Sequence, residues 1–221
     1  EYLLGEHVEV DKKNNPLVPQ FGKPIRSIGK TINLGKDYGK SAFTTAPDLG
    51  ISVEEATKLF EIIDSKTPKK IEYFKKWQVF VEKNGYIRTD DVVKSITFFE
   101  GFDKYLALKA LPQKSKQQVT EFYKLKGAME RFAQNNRIQG SAALMTKIAH
   151  ILINDELQKR GWENKAFVVA LVHDEIVAES EEGISKEVAL IMQECMLKAG
   201  KLFCKTITMV AEPEIGMKWN H

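Results

Sequence analysis

Residues 167–177 read Phe-Val-Val-Ala-Leu-Val-His-Asp-Glu-Ile-Val, two apolar runs (Phe167–Val172 and Ile176–Val177) around His173-Asp174-Glu175. Apolar, β-branched residues on both sides of a short polar insert predict a β-hairpin with an acidic turn. Two adjacent carboxylates at such a tip resist joint ionisation, because like charges repel. A hard divalent cation relieves that repulsion, and oxygen donors suit Mg²⁺. Taken alone, the same residues also fit an ordinary acidic turn in water.

Helical patterns flank this hairpin. Gly183–Phe203 places Ile184, Val188, Ile191, Cys195, Ala199 and Leu202 on one face, and Thr206–Val210 follows as a predicted strand. Gly140–Arg160 reads as a long amphipathic helix ending at Gly161, preceded by a helix around Leu125–Asn135 and a weakly patterned lysine-rich segment. Tyr86-Ile87 and Val92–Phe99 flank Asp90-Asp91 as a short hairpin. Before it, Ile71, Phe74, Trp77 and Val81 mark a helix from Pro68 to a stop at Asn84-Gly85. Ser52-Val53-Glu54-Glu55 is a capping box that starts a helix burying Ala56, Leu59, Phe60 and Ile63. Pro24 is predicted to open a helix reaching about Gly39, and residues 1–23 to be irregular with a turn at Lys12–Pro16. Helices first, then a helix–hairpin–helix–strand unit, make an α+β chain with a small antiparallel sheet.

The chain has 221 residues, 33 Lys+Arg against 30 Asp+Glu, and a formal net charge of +3. Such a balance announces no nucleic-acid partner by itself. Its distribution says more: Lys104, Lys109, Lys114, Lys116, Lys124, Lys126, Arg131 and Arg137 face only Glu121 and Glu130 within one stretch. That excess fits a phosphate-facing stripe, and equally a solvated lysine-rich surface. No apolar run approaches the ~18 residues of a membrane span, and no secretory leader is expected. The opening Glu1-Tyr2-Leu3, without Met, suggests a processed chain or a piece of a larger one. Cys195 and Cys204, nine residues apart on one predicted helix, lie roughly 13 Å apart along its axis, too far for a disulfide. Free thiols in a reducing compartment are expected, and no spacing suggests zinc.

Two further patterns carry chemistry. Arg26, Lys30, Leu34 and Tyr38 recur every fourth residue, so each step advances about 40° around a helix and about 6 Å along it. Two cations, an apolar group and an aromatic at that pitch can meet phosphates, a sugar and a base. The same row is also compatible with an exposed basic face and one buried Tyr. Arg131, Asn135 and Gln139 again fall four apart, ahead of Gly140-Ser141-Ala142-Ala143. Their donors suit the acceptors that every base pair shows in the minor groove, a sequence-blind check on duplex shape. They equally suit a polar surface row. A His-Asp metal phosphohydrolase would need more His and Asp ligands on helices than four His allow.

Taken in order, Arg-x3-Lys-x7-Tyr-Gly, Glu-Arg…Asn-x3-Gln-Gly and Val-His-Asp-Glu resemble the C-terminal part of family A DNA polymerases, the bacterial polymerase I type. The resemblance covers nearly the whole chain. Arg26–Gly39 (RSIGKTINLGKDYG) is similar to motif B, the fingers helix that receives the incoming nucleotide, and Val172–Glu175 to motif C of the palm. Gly85-Tyr86-Ile87-Arg88-Thr89 resembles the Gly-Tyr-x-x-Thr that closes the fingers, and Glu214-Ile215-Gly216…Trp219 the terminal strand.

The resemblance implies a fingers subdomain over residues 1–126 and palm over 127–221, with a nucleotide helix near 24–39 and a catalytic hairpin near 167–179. It implies that Arg26 and Lys30 bind the dNTP triphosphate, Lys30 also protonating the leaving pyrophosphate. Leu34 would lie in the nucleotide site, and Tyr38 would stack beside the template base. Arg131, Asn135 and Gln139 would hold the primer–template minor groove, with His173 near the primer end. Asp174 would ligate Mg²⁺ with support from Glu175, two ions being expected in the complete site, and the setting would be cytoplasmic, a bacterial nucleoid or phage-infected cell. Departures qualify this. Leu34 replaces the usual Phe or Tyr, so sugar discrimination does not carry over. Asp90-Asp91-Val92-Val93-Lys94 stands where a Gly-Arg-Arg stretch is usual. Nothing before Arg26 matches the Asp-bearing motif A. A fragment or one half of a split polymerase is expected, its partner segment carrying motif A and the thumb; a non-catalytic DNA-binding module is the alternative.

Overall fold

The computed structural model describes residues 17–18 and 23–219, and the turn expected at Lys12–Pro16 lies outside the described residues. The chain is α+β: eight α-helices and three two-stranded sheets among the described residues. It divides into two compact units. One comprises the chain up to Ile87 with Phe98–Asn135; the other comprises Arg88–Thr97 with Asn136 onward. No described helix is long and apolar enough to cross a membrane.

In the first unit, β1 (Leu17–Val18) pairs antiparallel with β2 (Lys23–Pro24), and α1 (Ile25–Asp37) follows directly. Pro24 is therefore the extended cap rather than the first helical residue, with φ −60° and ψ 142°. Ile28 and Ile32 face inward onto Leu49, Ile51, Leu59, Phe60 and Ile63. The helix α2 (Ala42–Leu49) has no counterpart in the sequence reading. It is started by a capping box in which Ser41 Oγ accepts from the Thr44 N–H and Thr44 answers the Ser41 N–H. The expected box at Ser52 and Glu55 starts α3 (Val53–Lys66), and α4 (Pro68–Asn84) ends at Gly85 as its sequence predicts. The lysine-rich segment is helical: α5 (Phe102–Ala110) and the early turns of α6 (Lys116–Asn135). Its lysines decorate helices whose inner faces bury Tyr105, Met129 and Ala133 with Val81 and Ile87.

The second unit centres on β5 (Ala166–Val172) and β6 (Glu175–Ser180), antiparallel with Val172 opposite Glu175 and Leu171 opposite Ile176. The register leaves a two-residue turn, His173-Asp174; Glu175 opens the return strand. Alternation along β5 turns Ala166 and Val168 inward and leaves Phe167, Val169 and Leu171 exposed. The inner side packs on α7 (Ser141–Lys159) and α8 (Ser185–Phe203) through Ile153, Leu157, Val188, Ile191 and Cys195. Cys204 caps α8 instead of lying within it, and both thiols are free. Thr206–Val210 is not a strand: Ile207 and Val210 are exposed, and its backbone joins no ladder. Alternation alone makes no strand where the backbone groups find no partner strand. The Glu214–Trp219 stretch likewise forms no strand.

Candidate functional site

The α1 row is built by amphipathicity. Ile28 and Ile32 are 7% and 3% exposed, so the opposite side is held toward solvent, and Arg26, Lys30, Leu34 and Tyr38 all stand exposed on it. Tyr38 closes the helix as its cap, its N–H donating to the Leu34 carbonyl at 2.9 Å. The last turn is anchored from beneath: Lys36 Nζ is paired with Asp64 and donates to the Phe60 carbonyl at 3.1 Å, while Lys70 Nζ donates to Asp37 at 2.7 Å. The sequence reading missed these anchors, because each joins residues more than twenty positions apart.

Immediately after Tyr38, Gly39 takes φ +79°, and the alkyl stem of Arg131 from α6 lies against its Cα. A Cβ at Gly39 would fall 2.4 Å from Arg131 Cγ and 2.8 Å from Cδ. Arg131 is thereby brought against the residue that follows Tyr38, so two separate sequence features meet at Gly39. Asn135 lies one helical turn further along α6, half-buried, with Oδ1 buried and without a hydrogen-bond partner among the described residues. Gln139 is exposed, but on a π-helical segment, Asn136–Gly140, rather than on a continuous α-helix. The ladder there closes over five residues, a change of period that a reading in steps of four does not anticipate.

The π segment is clasped to the loop between β3 (Tyr86–Arg88) and β4 (Ile96–Phe98). Arg137, 7% exposed, donates to the Arg88 carbonyl at 2.9 Å and to the Asp91 carboxylate at 3.0 Å. Ser141 Oγ donates to the Thr89 carbonyl at 3.0 Å, and Gly140 leaves room for the Thr89 methyl, which a Cβ would approach to 2.1 Å. Asp90 is 1% exposed and accepts from the N–H groups of Val92, Val93 and Lys94. Burial pushes its carboxyl up, yet those N–H donors outweigh burial and hold it below the usual carboxylate value. The sequence reading did not anticipate this clasp, whose bonds span 46 to 52 positions.

The basic stretch is not a uniform phosphate-facing stripe. Lys104 pairs with Glu121, Lys109 donates to Glu82 at 2.8 Å, and Arg137 is buried. Glu82 also accepts from the Tyr105 hydroxyl at 2.6 Å; Lys109 first, then Tyr105, lowers its carboxyl against the opposing effect of burial.

At the hairpin tip, His173 has φ +54° and His173, Asp174 and Glu175 are all exposed. Trp219 Nε1 donates to Glu175 Oε2 at 3.2 Å, a contact across 44 positions that no local pattern announces. Asp174 and Glu175 supply the hard oxygen donors that Mg²⁺ takes. They fit it as part of a donor set, since no cluster of three acidic, His or Cys side chains occurs among the described residues. The α1 row and Arg131 belong to the first unit, the hairpin to the second.

The description of DNA polymerase family A matches residues 15–221. DNA polymerase I of Aquifex aeolicus is 30% identical over 202 residues, covering 90% of this chain and 31% of that protein. The thermostable DNA polymerase I of Thermus thermophilus is 30% identical over 200 residues, covering 90% of this chain and 21% of that protein. Among solved structures, the POL domain of Pol1 from M. smegmatis, in complex with DNA primer-template and dNTP, superposes with a TM-score of 0.62 at 28% identity. It covers 79% of this chain and 27% of the other. The chain thus spans about a third or less of the length of these relatives.

Proposed function

This chain belongs to DNA polymerase family A, and from that premise we propose that it supplies the fingers and the C-terminal palm of a DNA-directed DNA polymerase. In this reading residues 1–126 are fingers and 127–221 palm. The substrates are dNTPs and a primer–template, and the setting is the cytoplasm of a bacterium or a phage-infected cell. The observation that carries the reading is the exposed α1 row, Arg26, Lys30, Leu34 and Tyr38, opposite the buried Ile28 and Ile32.

Arg26 and Lys30 pair with triphosphate oxygens, about one helical turn apart, and hold the α-phosphate in line with the primer 3′-OH. Lys30 then delivers its proton to the departing pyrophosphate, which leaves as a weaker base than a fully ionised one. Tyr38 stacks beside the template base, and the Arg131 stem packs on Gly39, the residue that follows it. Arg131, Asn135 and Gln139 donate to minor-groove acceptors. His173 lies toward the primer end. Asp174, with Glu175 beside it, would help to hold the two Mg²⁺ ions expected in the complete site, which when bound would supply Lewis acidity toward the 3′-OH and the leaving oxygens. The two carboxylates do not complete such a site, so a further acid comes from the motif A segment, in the same or a separate polypeptide.

The test measures anisotropy of a labelled primer–template with the full chain, then photo-crosslinking of an azido-dNTP to it. Arg26→Ala or Lys30→Ala should lower dNTP capture roughly tenfold, the worth of one charge-assisted hydrogen bond, and leave DNA affinity unchanged. Capture by both variants equal to that of the unaltered chain would refute the assignment of α1. DNA binding without any dNTP capture would favour the non-catalytic module.

A further inference from the structure

We propose that Lys36 and Asp37, the last two residues of α1, are positioning residues that set the rotation of this helix about its own axis, and with it the face offered to the nucleotide. They are neighbours in sequence, about 100° apart around the helix, and each pairs with a different helix of the first unit. Lys36 Nζ is paired with Asp64 of α3, donates to the Phe60 carbonyl at 3.1 Å and lies 5.0 Å from the centre of the Phe60 ring. Asp37 accepts from Lys70 Nζ, on the first turn of α4, at 2.7 Å. The side chains of Lys36 and Asp37 are each only 20% exposed. All four charged groups line one cavity of about 170 Å³.

The core contacts leave rotation to such a device. Ile28 and Ile32 seat α1 on apolar neighbours, and apolar contact is non-directional, so it resists rolling weakly. One ion pair would be a pivot; two in different directions remove the roll. The order of signs adds discrimination. Along α1 a cation precedes an anion, while α3 presents an anion and α4 a cation. A roll of about 100° one way would bring Lys36 to Lys70, and the other way Asp37 to Asp64. Both repel, so the wrong rotations are penalised as well as the right one favoured. Tyr38 is the next residue, and Arg26, Lys30 and Leu34 share the helix, so a roll here turns the whole row. Part-exposed ion pairs add little to stability, and orientation is where their effect lies. This inference rests on the reading of α1 as the nucleotide helix.

The experiment labels the full chain with 3-fluorotyrosine and follows Tyr38 by ¹⁹F NMR, its signal assigned by loss in Tyr38→Phe. Asp64→Lys and Lys70→Asp, each on another helix, set like charges against α1 and should shift that signal. Asp64→Asn and Lys70→Met should move it in the same sense by less, and stand in wherever a charge reversal unfolds the chain. In parallel, the half-saturation of azido-dNTP photo-crosslinking should rise roughly three- to fivefold with Lys70→Asp, up to the worth of a part-exposed ion pair. Adding Asp37→Lys to Lys70→Asp restores a pair of reversed sign and should return the half-saturation to within about twofold of the unaltered chain. The exchanged charges also suit the dipoles of their own helix ends, so the double variant carries no added folding cost. A Tyr38 signal indifferent to both Asp64→Lys and Lys70→Asp, or a half-saturation that the exchange fails to restore, overturns the proposal. A shifted Tyr38 signal with dNTP capture unaltered by Lys70→Asp instead overturns the reading of α1 on which it rests.

Discussion

Replacing Gly39 by alanine separates two costs that usually come together. At Gly39, φ is +79°, and at Gly50 it is +69°; both are left-handed positions in the same unit. An L side chain in that region costs roughly 1–2 kcal/mol, partly offset by about 0.4–1 kcal/mol from the stiffer unfolded chain. Gly50→Ala meets nothing within 4 Å and should therefore lose about 1 kcal/mol or less. Gly39→Ala places its Cβ 2.4 Å from Arg131 Cγ, so Arg131 must move, which adds about 1–3 kcal/mol of overpacking. The expected total is about 2–4 kcal/mol, measured by urea denaturation followed by circular dichroism. Arg131→Ala removes Cγ and Cδ, so in that background Gly39→Ala should cost no more than Gly50→Ala. The coupling in this double-mutant cycle is the overpacking energy itself. Equal losses for Gly39→Ala and Gly50→Ala, or no coupling with Arg131→Ala, would refute the claim that Arg131 packs on the turn after Tyr38.

Other expectations follow from the buried polar groups. Arg137→Met strands the Arg88 carbonyl and frees the π segment, at about 1–3 kcal/mol; an unchanged urea midpoint would contradict the clasp. The Asp90 carboxyl sits below its usual range in the folded chain, so its stabilisation is present above the unfolded pKa and is lost as pH falls through the lower folded one. Stability of Asp90→Asn should accordingly fall less steeply with acid below about pH 4, and parallel wild-type and variant curves would count against it. Burial pushes the Cys195 thiol up, so iodoacetamide at neutral pH should label Cys204 first, as peptide mapping would show; equal labelling would mean that α8 opens.

What could be read beforehand divides by distance along the chain. The Ser52/Glu55 box, the stop at Gly85 and the β5–β6 hairpin are local patterns, and each is where its residues place it. The α1 row was legible because amphipathicity at steps of four assigns a face without knowledge of its partner. The helix α2 was not, since Pro47 lies inside it and Thr44 stands where a capping box usually has Glu or Gln. The π segment changes the helical period between Asn135 and Ser141, which a fixed step cannot register. Thr206–Val210 has strand-like residues but no ladder, and pairing is a tertiary property. Within the site, residue types and spacing pointed to Arg131 and Tyr38 separately. Their meeting over Gly39 and the Trp219–Glu175 bond depend on how distant segments pack.

Primer extension with Mg²⁺ and dNTPs tests the central claim most directly, using this chain alone and mixed with a polypeptide that supplies the motif A palm segment and thumb. The account predicts extension in the mixture, none with this chain alone, and none in the mixture when it carries Asp174→Ala. Extension that survives Asp174→Ala, or its absence when the complementing polypeptide is folded and bound to this chain, would contradict the account.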